Sequence, residues 1–143
     1  MSMRIRVAGV LLAAALATNC DGGPVAPGGP FLGTWAGAIV DSAAGAGTAR
    51  LVLTQSGAGV SGTFTTTFPT SSFDRAGSVS GTATGATAST FLTPSAPTVC
   101  GSGASLSGTM GATVSIAGTK LTGGYSVLLC TGAGSGTLDL TRQ

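Results

Sequence analysis

The chain has 143 residues, 43% hydrophobic and only 7% charged, with 25 glycines, one tryptophan, one tyrosine and no histidine. That length suits one domain, and so large a hydrophobic fraction argues against a disordered chain. The missing histidine excludes Ser-His-Asp and Cys-His nucleophile pairs and imidazole metal sites. Beyond Arg4 and Arg6, the cations Arg50, Arg75, Lys120 and Arg142 balance the carboxylates Asp21, Asp41, Asp74 and Asp139, so no basic patch suits nucleic acid.

The first segment, 1–19, places Arg4 and Arg6 before an apolar run from Val7 to Ala17. A short positive stretch followed by a brief apolar core has the form of an export signal. The run is shorter than the roughly 20 apolar residues of a spanning helix. Thr18 and Asn19 lead from the run to Cys20, and this arrangement resembles a bacterial lipoprotein signal. The resemblance implies lipidation of Cys20, which then becomes the mature N-terminus anchored in a membrane of the cell envelope. Ala17, Thr18 and Asn19 depart from the family's spacing, with Leu16 one place early. The alternative is ordinary secretion, with cleavage near Ala15 or Ala17.

Residues 20–30, ending in the run DGGPVAPGGP, have no periodicity and read as a flexible tether. From 31 to 143 the chain alternates apolar and polar residues, punctuated by glycine, serine and proline, which is the period of half-buried strands. The alternation predicts strands near 32–40, 49–55, 59–66, 74–82, 85–92, 120–129 and 134–142. The even positions from Ala104 to Ile116 keep one phase, which predicts a single long strand there. A unit of the type Val60-Ser61-Gly62-Thr63 recurs irregularly at Val79, Leu106, Ile116 and Leu121, where glycine would let a curved sheet bend. Eight strands joined as neighbours predict an all-β fold, an antiparallel up-and-down barrel.

Such a meander sorts the connections. Longer loops at 41–48, 67–73 and 93–103 fall at one end, and short turns near Gly57, Thr84 and Gly118 fall at the other. With Cys20 assigned to lipid, Cys100 and Cys130 remain as a pair. An eight-strand count puts both at the long-loop end, where a disulfide would contribute about 3 kcal/mol.

Gly33-Thr34-Trp35 opens the first strand, and Arg142, sharing the parity of Leu138 and Leu140, closes the last. A charge on the apolar face of a strand needs a partner, and eight strands bring Trp35 and Arg142 together at the short-turn end. This resembles the calycins, the lipocalin, fatty-acid-binding and avidin group, in which a Gly-x-Trp packs beneath a basic residue from the last strand. The resemblance implies a small barrel with a structural base at Trp35 and Arg142. A single tryptophan sets it apart from avidin-type pockets.

Candidate contacts for a ligand are Phe68, Phe73 and Phe91 near the long-loop end, with Arg75, and Tyr125 on the apolar face of its strand. They read either as an aromatic rim with one cation or as rings folded over a plugged mouth. Asp41, Asp74 and Asp139 are assigned to loops or to the solvent parity, so paired-carboxylate chemistry is not expected. No enzyme activity, metal or cofactor is expected. Two functions fit: binding of a small apolar or amphipathic ligand in the barrel, or an envelope structural or inhibitor module that presents its long loops to a protein.

Overall fold

A computed structural model describes residues 28–96, 98–99, 105–106, 110–129 and 132–143. Eight long strands close into an antiparallel barrel: β1 (Gly33–Asp41), β2 (Gly45–Ser56), β3 (Gly59–Thr67), β4 (Arg75–Thr84), β5 (Thr87–Pro94), β8 (Met110–Ala117), β9 (Lys120–Leu129) and β10 (Gly132–Arg142). Their order around the barrel, β1-β10-β9-β8-β5-β4-β3-β2, is that of an up-and-down meander. Two short strands, β6 (Thr98–Val99) and β7 (Ser105–Leu106), pair only with each other. The sole helical element among the described residues is a 3-10 turn at Ser71–Phe73. Closure leaves no long strand with an unpaired edge.

The alternation sorts side chains strictly. Trp35, Ile39, Leu51, Leu53, Val60, Phe64, Val79, Leu92, Val114, Leu121, Leu138 and Leu140 point inward and are buried in one apolar cluster. Burying each such side chain stabilises by roughly 1.5–3 kcal/mol. The outer wall carries mainly serine, threonine and alanine. This polarity is the reverse of a lipid-spanning barrel, whose outer face is apolar.

Glycine shapes the wall in two ways. Gly57, Gly85 and Gly118 take φ of 55, 60 and 61°, and the residues after them do not have positive φ. That is the form of two-residue type II′ hairpin turns, so Gly118 belongs to a turn rather than to a bent strand. Gly62, Gly81 and Gly123, from the same recurring unit, do lie within strands. A side chain on each would strike the neighbouring strand's backbone at 2.0–2.3 Å. Their register partners include Leu53, Val60 and Val114, so a small residue faces a large one across the curved sheet.

Two expectations change. The loop expected at 41–48 shrinks to Ser42–Ala44, because β2 already starts at Gly45, which pairs with Asp41. The long strand expected from 104 to 116 is divided. Ser105 and Leu106 pair with Val99 and Thr98, and the barrel strand begins at Met110, opposite Leu92. The segment expected as a loop at 93–103 thus supplies β6. Cys20, Cys100 and Cys130 lie outside the described residues.

Candidate functional site

The barrel has two unlike ends. The short-turn end, or base, also holds the start of β1 and the end of β10. Trp35 and Arg142 are register partners there. The guanidinium carbon of Arg142 sits 4.6 Å from the Trp35 ring centroid, a cation–π contact of about 0.5–2 kcal/mol. Trp35 is fully buried, and its Nε1–H donates to the Phe31 carbonyl at 2.9 Å. Arg142 donates to the Pro30 carbonyl. Phe31, also fully buried, donates its N–H to Gln55 Oε1 at 3.1 Å, and Gln55 Nε2 donates to the Gly57 carbonyl at 3.0 Å. Gly29 makes room for this amide, since a side chain there would fall about 2.1 Å from Gln55. Residues 28–32 therefore lie across the base as a lid.

The sequence pointed to Trp35 and Arg142 but passed over Gln55. The signal was available, because Gln55 shares the inward parity of Leu51 and Leu53. A polar residue at that position needs partners inside the fold.

The opposite end, the mouth, is organised by a pair that the sequence reading separated. Tyr125 donates its hydroxyl to Asp41 Oδ2 at 2.5 Å, and both side chains are buried. Asp41 Oδ1 also accepts the N–H groups of Ala43 and Ala44 at 2.8 and 3.0 Å, which closes the β1–β2 turn. The assignment of Asp41 to a solvated loop is corrected: it continues the inward series Trp35, Gly37, Ile39. Asp41, Gly136 and Tyr125 form one register row across β1, β10 and β9. A side chain on Gly136 would strike the Tyr125 ring at 2.4 Å. Glycine at 136 is what lets the phenol reach across a strand to the carboxylate.

The electrostatics follow from this geometry. Burial works to raise the Asp41 pKa, but the hydrogen bonds from Tyr125, Ala44 and Ala43 outweigh it and leave the carboxyl below its ordinary 3.8. Burial, the hydrogen bond to Asp41 and the Asp41 charge all push Tyr125 far above its ordinary 10. At neutral pH the pair is carboxylate and phenol.

The other candidates spread out. Phe68 is buried over Gly47, with its N–H donated to Asp74 Oδ1 at 2.7 Å. Phe73, in the 3-10 turn, is half-buried against the core. Arg75 donates from one guanidinium nitrogen to the carbonyls of Ser72 and Asp74 at 2.8 and 2.6 Å. These three residues cluster around the β3–β4 loop. Phe91 does not join them: it is 54% exposed on the outer face of β5, between Ser80 and Gly111. Its neighbours Thr90 and Leu92 take the inward positions.

The mouth thus holds a buried carboxylate and phenol on β1 and β9, with Phe68, Phe73 and the Arg75 guanidinium gathered at the β3–β4 loop. Among the described residues, no group of three or more His, Cys, Asp or Glu side chains is placed to hold a metal. No protein-family model matches the chain, and no curated protein matches it.

Proposed function

We propose that this is an exported, non-catalytic protein of calycin-like build, anchored through lipid on Cys20, that binds one small apolar or amphipathic molecule at the mouth of its barrel. The observation that carries the reading is the inequality of the two ends. The base is sealed by Phe31, Gln55, Trp35 and Arg142, whose hydrogen bonds are met within the lid and the β2–β3 turn. The mouth sets charged and hydroxyl groups beside buried apolar ones, the mixture typical of small-molecule sites. Segment 28–32 enters at the base, so an anchor upstream of it would leave the mouth facing away from the membrane.

Native mass spectrometry of the protein purified from its own envelope tests the binding. A copurified small molecule, lost on unfolding, is the expected result. A bare chain that also fails to take up lipophilic dyes would overturn it. The anchor is tested separately: Cys20→Ala should move the protein from the detergent phase to the soluble fraction.

A second reading, an envelope structural or inhibitor module that binds protein through its long loops, is favoured by a different observation. The inward side chains form one apolar cluster reaching from Trp35 at the base to Tyr125 at the mouth, and a narrow eight-stranded barrel can be filled by its own side chains. A bare chain in the mass spectrum that captured a defined envelope protein by crosslinking through the loops would select this reading.

A further inference from the structure

The outer wall of the barrel carries a groove of about 350 Å³ over β1, β2 and β3, lined by Ala36, Gly37, Thr48, Ala49, Arg50, Thr65 and Thr67. Register explains why it forms. Arg50 is flanked in its row by Ala36 on β1 and Thr65 on β3, while Thr48 is flanked by Ala38 and Thr67. The β1 side of both rows has only methyl side chains. The wall is therefore low beside Arg50 and higher along the threonines of β3.

Arg50 is also set apart by what it lacks. Among the described residues, every other cation is engaged by the protein. Lys120 pairs with Asp139 at 2.8 Å. Arg75 is held by the Ser72 and Asp74 carbonyls, and Arg142 by Trp35 and the Pro30 carbonyl. Side-chain hydrogen bonds on the outside of the barrel include those joining Thr54 to Ser61, Lys120 to Asp139, Ser42 to Ser135 and Gln143 to Thr141, and among the described residues Arg50, Thr48, Thr65 and Thr67 enter none. The carboxylate nearest in register, Asp139, faces Ala38 across β1 and is already neutralised by Lys120.

We propose that this groove is a binding site for a compact anionic group, a phosphate or carboxylate, carried on a hydroxyl-bearing body. A guanidinium presents a planar fork of donors that matches such a group in two-point contact. Three threonine hydroxyls beside it donate to the remaining oxygens and accept from hydroxyls of the body, while the short side chain of Ala36, next to Arg50 in its row, leaves room for its carbon skeleton. The site lies on the outside of the wall and does not depend on what the mouth holds.

The test uses the full mature chain in dodecyl maltoside micelles, followed by NMR. Glycerol 3-phosphate is titrated, with glycerol as its neutral counterpart, and vesicles of phosphatidylglycerol are compared with phosphatidylcholine. Saturable shifts confined to the Arg50 Nε–H and the amides of Thr48, Thr65 and Thr67 are expected. Arg50→Gln should weaken binding at least tenfold, Arg50→Lys should retain part of it, and Thr113→Ala on the opposite wall should leave it unchanged. Response to glycerol 3-phosphate would assign a soluble ligand, and response to anionic vesicles alone a lipid headgroup. Shifts that fail to saturate with either, or that persist in Arg50→Gln, would overturn the site.

Discussion

Each end of the barrel joins an aromatic ring to a charged side chain, and the two ends use different physics. At the base, the Arg142 guanidinium sits over the Trp35 ring with its charge still reaching solvent, while the Pro30 carbonyl accepts from the guanidinium and the Phe31 carbonyl from the indole N–H. At the mouth, the charge itself is buried. Asp41 is kept ionised by three hydrogen bonds, one of them from Tyr125. A cation on an indole face loses little hydration and tolerates small displacements. A buried carboxylate needs each donor in place, because leaving it short exacts the full desolvation cost. The base is thus built for closure and the mouth for fixed polarity.

The largest expected effect belongs to the base. Trp35→Ala removes a fully buried ring from the row that includes Leu51 and Phe64 and withdraws the surface on which Arg142 rests. We expect a loss of about 3–5 kcal/mol in urea melts, as for other large core aromatics. A loss below about 1 kcal/mol would mean that the lid of residues 28–32 is ornamental and that the barrel closes without it.

The mouth comes next. Tyr125→Phe keeps the ring but leaves Asp41 one donor short, and should cost about 1.5–3 kcal/mol. Gly136→Ala should act in the same direction by displacing the ring. The pH dependence separates this pair from simple packing. Because folding raises the Tyr125 pKa, its contribution is complete below pH 10, the unfolded value, and fades as pH rises above it. Asp41 works in the opposite sense: its folded pKa is lowered, so its contribution is present above about 3.8 and fades as pH falls through the folded value. Tyr125 is the only tyrosine, so absorbance at the tyrosinate band reports it alone. It should stay silent on raising the pH until the protein unfolds. A normal phenol titration in folded protein would break the Asp41 contact.

These two ends were not equally legible in the sequence. Strand parity and the up-and-down count were enough to put Trp35 opposite Arg142, because both residues sit inside long, clean alternations. Asp41 carries the same odd parity as Trp35 and Ile39, but Ala43, Ala44, Gly45 and Gly47 follow it. Small residues give no alternation to read, so the end of β1 and the start of β2 passed for a loop. The contact also spans 84 residues and depends on the absence of a side chain at Gly136, which periodicity does not reveal. Parity misled in the opposite way at the expected long strand. Leu106 and Met110 are both even, so the phase survives even though Leu106 pairs outside the barrel. Phe91 was drawn to the mouth by its residue type, although its odd parity between Thr90 and Leu92 already placed it outside.

A smaller effect tests the base contact alone. Arg142→Gln keeps a donor for the Pro30 carbonyl but removes the cation from the ring, and should cost about 0.5–2 kcal/mol. The loss should resist added salt, since the partner is a quadrupole rather than an ion. Strong salt sensitivity would instead point to an ionic partner for Arg142.

The smallest stability effect is expected at Arg75, and it bears most directly on function. Its guanidinium is part-exposed and held only by the carbonyls of its own loop, and the ion pair found among the described residues is elsewhere, between Lys120 and Asp139. Arg75→Ala should therefore cost less than about 1 kcal/mol, in the range of surface changes. Phe73→Ala, which uncovers part of the core, should cost somewhat more. If the mouth binds a molecule whose polar end meets Arg75, the variant should fold almost as well as the parent yet lose the copurified mass. Equal stability with full retention would move the ligand's polar end to Asp41 and Tyr125. A loss as large as that of Trp35→Ala would show that the β3–β4 loop is a structural plug, and the inequality between base and mouth would disappear.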